Sequence, residues 1–167
     1  METSTVVEKK ELPDEDGGRA LLRQVIRRIK SGEAVAPALG IGEAALRAFE
    51  QQAFTVYRQG QFEQARSLCL GILALNRRRA SVHLMMGDMA MRDHRFDEAL
   101  EFLEEAVELE PADYRAQRRL GEVLLKLGRV DEALEWLSRV KEVEVSEASR
   151  REVERADVLI SHARQSG

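Results

Sequence analysis

A 34-residue period runs three times through the middle of this sequence. Ala53, Gly87 and Gly121 stand 34 apart, as do Ala65, Ala99 and Ala133, and as do Leu75, Leu109 and Val143. Phe62, Phe96 and Val130 share a further offset, and Gly60, His94 and Gly128 another. A period of this length leaves few folds open. Each unit is a pair of antiparallel helices that cannot bury its apolar face alone, so the units must stack. The two small positions have a packing reason. Ala53, Gly87 and Gly121 fall on the first helix of each pair and Ala65, Ala99 and Ala133 on the second, where a larger side chain would overpack the contact at roughly 1–3 kcal/mol.

The pairs are expected at 46–79, 80–113 and 114–147. The first helix of each ends near Gly60, His94 or Gly128, a position that admits glycine because the helix stops sharply there. The second helix opens on Phe62-Glu63, Phe96-Asp97-Glu98 or Val130-Asp131-Glu132. Acids in a first turn complement the helix dipole. Pro111 closes the second pair, since it cannot continue a helix. These offsets are those of tetratricopeptide units. The expected fold is all-α: a tetratricopeptide-repeat superhelix of three helix pairs, with an N-terminal helix and a C-terminal capping helix.

The flanks complete this plan. Residues 1–18 carry six acids and two bases, with Pro13 and Gly17-Gly18. Such a composition buries too little apolar area to offset chain entropy, so a disordered acidic tail is expected there. Residues 19–31 read as an amphipathic helix. Leu21, Leu22, Val25, Ile26 and Ile29 recur at helical spacing, with Arg19, Arg23, Arg27, Arg28 and Lys30 among them. It is expected to pack on repeat one or on a second copy of the chain. A linker over 32–45 contains Pro37 and Gly40-Ile41-Gly42. A capping helix over 148–164 is expected to start at the capping box Ser149-x-x-Glu152. Its face of Val153, Ala156, Leu159, Ile160 and Ala163 would cover the last pair.

Bulk chemistry excludes several function classes. A net charge of −4 gives no general attraction to nucleic acid, and 5% aromatic content leaves little for stacking on bases. No stretch approaches the apolar length of a membrane span, and the N-terminus lacks a signal-peptide core. Cys69 is the only cysteine, which excludes an intramolecular disulfide and fits a reducing compartment. A cytoplasmic protein is expected. His83, His94 and His162 lack metal-ligand spacing, and Gly40-Ile41-Gly42 lacks the rest of a dinucleotide fingerprint. Cys69 aligns with Leu103 and Leu137 and reads as a small core side chain. No catalytic residues, no cofactor and no metal are expected.

Repeat one carries a more specific pattern, Ala53-Phe54-x-x-Tyr57-x-x-Gly60-x-Phe62-Glu63-x-Ala65, preceded by a short helix, the Ser31-Gly32 break and a linker ending in Gly42-Glu43. The arrangement resembles the class II chaperones of bacterial type III secretion, the SycD/LcrH group, over residues 19–160. His94 departs from it where glycine is usual. The resemblance implies a cytoplasmic, non-enzymatic protein that holds an extended apolar segment of a translocator-type client before export. It also implies a possible homodimer through the N-terminal region. A general scaffold joining other protein partners is the alternative.

In this architecture the first helices line the hollow face. Starting the repeats at 46, 80 and 114, the second, fifth, ninth, twelfth and thirteenth positions face outward. Phe54, Tyr57, Leu84, Met91 and Leu125 then form an apolar track. Arg58, Asp88 and Glu122 border it, and Arg92, Arg118 and Lys126 are candidate polar clamps. This composition suits an extended peptide with two or three apolar anchors. Arrays that grip a C-terminal carboxylate resemble one another in a lysine and an asparagine at the fifth and ninth positions of repeat one. Glu50 and Phe54 stand there in this sequence, and Glu50 would repel a carboxylate.

Overall fold

The computed structural model describes residues 15–141 and 146–166. Among them lie eight α-helices, one short 3-10 helix and no strand. Helix α1 spans Glu15–Ser31, and the 3-10 helix spans Ala36–Leu39. The three pairs follow as α2 (Glu43–Arg58) with α3 (Phe62–Leu75), α4 (Ala80–Arg92) with α5 (Phe96–Leu109), and α6 (Tyr114–Lys126) with α7 (Val130–Lys141). Helix α8 spans Glu147–Ser166. Helices α2, α4, α6 and α8 touch in sequence to form one row, and α3, α5 and α7 back it.

Each first helix stops in the same way. Gly60, His94 and Gly128 take left-handed backbone angles, with φ of 78°, 58° and 75°. The residue after each donates its N–H back over the turn: Gln61 to the Val56 carbonyl, Arg95 to Ala90 and Arg129 to Leu124, at 3.2, 2.9 and 2.9 Å. This double-bonded ending satisfies carbonyls the helix leaves open. His94 adopts it without the freedom of glycine and stacks edge-on against Phe96, with ring centroids 5.8 Å apart.

The small positions sit at the tightest helix contacts. A Cβ on Gly87 would fall 2.7 Å from Leu103 Cγ, and one on Gly121 would fall 2.6 Å from Leu137 Cγ. Repeat one makes the exchange in reverse. Ala53 replaces the glycine and Cys69 replaces the leucine, both fully buried in one core cluster. The pairs thus conserve volume across the contact, which close packing requires.

The two ends differ from the sequence expectation. Helix α1 begins at Glu15, before the expected Arg19. The remainder of the expected acidic tail, 1–14, lies outside the described residues. Helix α1 packs chiefly against the 3-10 helix and leaves Leu22, Ile26 and Ile29 at 58%, 43% and 63% exposure. The expected linker is tied down by the Val35 N–H donating to the Leu75 carbonyl at 2.8 Å, with Ala36 fully buried.

Helix α8 starts from Ser146, not Ser149. The Ser146 N–H donates to Ser149 Oγ at 2.8 Å, and the Ser149 N–H donates to Ser146 Oγ at 3.2 Å, a reciprocal box one turn earlier than expected. Ala156 and Ile160 then bury themselves against Leu137 and Val140, with Val153 and Leu159 half-buried beside them.

The size exchange predicts a double-mutant cycle. Gly87→Ala should cost about 1–3 kcal/mol by overpacking, and Leu103→Cys about 2 kcal/mol by leaving a void. The double variant, which copies repeat one, should be more stable than the sum of the two by about 1 kcal/mol in urea unfolding.

Candidate functional site: a groove along the first helices

A cavity of about 370 Å³ opens on the helix row. Phe54 and Tyr57 from α2 and Leu84 and Met85 from α4 give it an apolar side, and Arg115, Arg118 and Arg119 from α6 with Glu152 and Arg155 from α8 give it a charged one. A second cavity of about 330 Å³ continues toward the inter-helix turns, lined by Tyr57, Phe62, Met91, Phe96, Arg92 and Lys126 among others. Tyr57, Asp88 and Arg119 belong to both and form the sill between them.

That sill is a chain of polar contacts crossing every helix of the row. The Tyr57 hydroxyl of α2 donates to Asp88 Oδ2 of α4 at 3.2 Å. Arg119 of α6 pairs with Asp88 Oδ1 at 2.6 Å and with Glu122 at 3.0 Å. Arg118 pairs with Glu122 at 2.7 Å and with Glu152 of α8. Burial pushes the Asp88 carboxyl above its ordinary value, opposed by the Arg119 guanidinium and the Tyr57 hydroxyl. Burial, then the Asp88 charge, raises the Tyr57 hydroxyl to about 12. Helix periodicity explains the arrangement: positions five, six, nine and twelve of a first helix, which hold Arg118, Arg119, Asp88 with Glu122, and Tyr57, lie on one side of it.

Most of the expected groove residues fall on these cavities. Phe54, Tyr57, Leu84, Asp88 and Arg118 line the first, and Tyr57, Asp88, Met91, Arg92, Glu122 and Lys126 line the second. Phe54 is 49% exposed, with the Arg58 guanidinium 5.9 Å from its ring centroid. Leu125 lines neither cavity. It packs between the second and third pairs and against the α8 cluster, because α8 covers the face that its equivalents Tyr57 and Met91 leave open. Arg118 is 4% exposed and held by two carboxylates, so it ties α6 to α8 rather than standing free as a clamp.

Sequence reasoning missed Arg119, one position beyond the register used, and missed Glu152 and Arg155, which only the docking of α8 brings to the cavity. Glu50 does line the cavity, and it is occupied by Arg79 and by the Ser81 hydroxyl, which donates to it at 2.9 Å.

The other chemistry-bearing residues lie apart from the groove. His83 directs Nε2 at the Arg77 carbonyl, 2.7 Å away, which makes it the donor there, and its ring tilts against Phe102. Cys69 is fully buried, and desolvation raises its thiol to about 11. Among the described residues no three His, Cys, Asp or Glu side chains are grouped to hold a metal ion, and no helix is long and apolar enough to cross a membrane.

With this geometry in place, the comparisons define the class. Tetratricopeptide-repeat families match residues 51–108 and 90–150, and the helix pairs agree, so the fold is a tetratricopeptide-repeat superhelix. No curated protein matches the sequence. Among solved structures, the fold is similar to SycD, the type III secretion translocator chaperone of Yersinia enterocolitica. The TM-score is 0.67 at 18% identity, over 77% of this chain and 97% of that one. A type III secretion complex from Aeromonas hydrophila gives a TM-score of 0.74 at 16% identity, over 86% and 97% of the two chains. PcrH, known from Pseudomonas aeruginosa, in complex with the chaperone binding region of PopD gives 0.68 at 19%, over 76% and 96%. At these identities the likeness is one of fold.

Two measurements check the sill. The chain has two tyrosines. In an ultraviolet pH titration one, Tyr57, should ionise only near pH 12, and Asp88→Asn should lower that value. Because the folded value lies above the ordinary 10.0, the hydroxyl's contribution to stability is complete below pH 10 and declines as the pH rises to about 12. Glu152→Gln should cost about 2 kcal/mol in thermal unfolding, since it leaves the buried Arg118 with Glu122 alone.

Proposed function

We propose that this chain is a chaperone of the class II type III secretion kind. Its groove takes an extended apolar segment of a translocator-type client and keeps that client soluble in the cytoplasm before export. The observation that carries the reading is the open apolar wall of Phe54, Tyr57, Leu84 and Met91 above a floor whose charges are already paired. Such a wall gains free energy by covering apolar side chains, at about 25 cal/mol per Å² removed from water, and asks nothing of a reacting group. The fold likeness to PcrH, solved with a client region bound, supports the same reading. The exposed stripe of Leu22, Ile26 and Ile29 on α1 is the surface through which the chain would form a homodimer.

Co-expression tests the proposal. A membrane-active protein encoded beside this chain should become soluble and co-purify with it. Phe54→Glu with Met91→Glu should abolish that recovery while leaving the helical circular dichroism unchanged. A neighbour that stays soluble with the double variant, or without this chain at all, would favour a general scaffold instead.

A further inference from the structure

Position thirteen of each first helix holds a cation. Arg58, Arg92 and Lys126 stand 34 apart, one per repeat, in the last turns of α2, α4 and α6. All three are exposed. Their pairing sets them apart from the other groove cations. Arg118 and Arg119 are held by Glu152, Glu122 and Asp88, and Arg115 is held by Asp113 at 2.8 Å. Arg58, Arg92 and Lys126 form no ion pair among the described residues. Two of them rest on aromatic faces instead: Arg92 lies 4.1 Å from the Phe62 ring centroid, and Arg58 sits over Phe54. An aromatic face fixes a guanidinium in place without neutralising it.

The helix dipole alone does not account for this row. A cation is favoured at any helix C-terminus. Helices α3 and α5, which run the other way, end with no base in the last turn. Helices α1 and α8 also end in bases, so what sets this row apart is its recurrence once per repeat beside the groove and the aromatic faces beneath two of its members. Arg92 and Lys126 border the second cavity, directly beside Met91 and Phe96.

We propose that this row recognises carboxylates on the client, so that the preferred segment carries Asp or Glu residues flanking its apolar anchors on the side of the inter-helix turns. The inference rests on the groove reading above and adds a charge requirement to it. The apolar wall holds the anchors, and the unpaired cations select their neighbours and fix the direction in which the strand lies. Exposed charges of this kind contribute more to selectivity and association rate than to tight binding.

Selection from a displayed library of random twelve-residue peptides separates the two layers. The pool recovered on the wild-type chain should be enriched in apolar residues with Asp or Glu beside them. The pool recovered on Arg58→Gln/Arg92→Gln/Lys126→Gln should keep the apolar enrichment and lose the acidic one. A peptide from the first pool, labelled with a fluorophore, should bind the triple variant about tenfold more weakly, and raised salt should weaken its binding to the wild type toward the same level. Apolar enrichment with no acidic preference in the wild-type pool would overturn the charge requirement and leave the groove intact. A wild-type pool with no apolar enrichment would overturn the groove and this inference together.

Discussion

The stack depends on how near the two helices of each pair approach. Gly87 and Gly121 bring the α4 and α6 backbones against Leu103 and Leu137, with no room for a Cβ. Ala53 and Cys69 reach the same end by sharing the volume differently. Everything downstream follows from this closeness. It seals Met86, Met89, Leu120 and Leu124 on the inner side of the pairs, and it leaves the opposite face of α2 and α4 open as an apolar wall beside the charged face of α6. A looser pair would turn those helices relative to one another and break the wall into separate patches.

Much of this was legible in the sequence because a small residue that recurs at a fixed period marks a close helix contact. The turn at Gly60, His94 and Gly128 was readable for a similar reason: one left-handed residue has to close each first helix. The starts of α1 and α8 were harder. Serines and acids occur as caps and as ordinary surface residues, and Ser146 and Ser149 each fit the N-terminus of α8 until their mutual hydrogen bonds decide between them. The groove was half legible. Periodicity put Phe54, Tyr57, Leu84 and Met91 on one face, but Leu125 shares their offset and is covered by α8, a helix outside the repeat. Nor does any local pattern announce that Arg118 will meet Glu152, 34 residues away.

The polar chain from Tyr57 through Asp88, Arg119, Glu122 and Arg118 to Glu152 is the second organising element. Together its members join the four helices of the row. Buried charges of this kind add little net stability by themselves. They restrict how the helices slide, because a shift at one contact would leave a partly buried charge without its partner. The unpaired cations at the edge are the complement of that arrangement, being free to respond to whatever approaches.

The internally satisfied sill has a consequence for departure. A strand laid across Tyr57, Asp88 and Arg119, as proposed above, would meet charges that are already paired, so its own peptide groups would keep their water. Adhesion would then come from a few side chains lodged in oily recesses, and lifting one would not oblige the next to follow. Such a hold can be undone piecewise by a pull on one end of the strand, without the repeats themselves having to unfold.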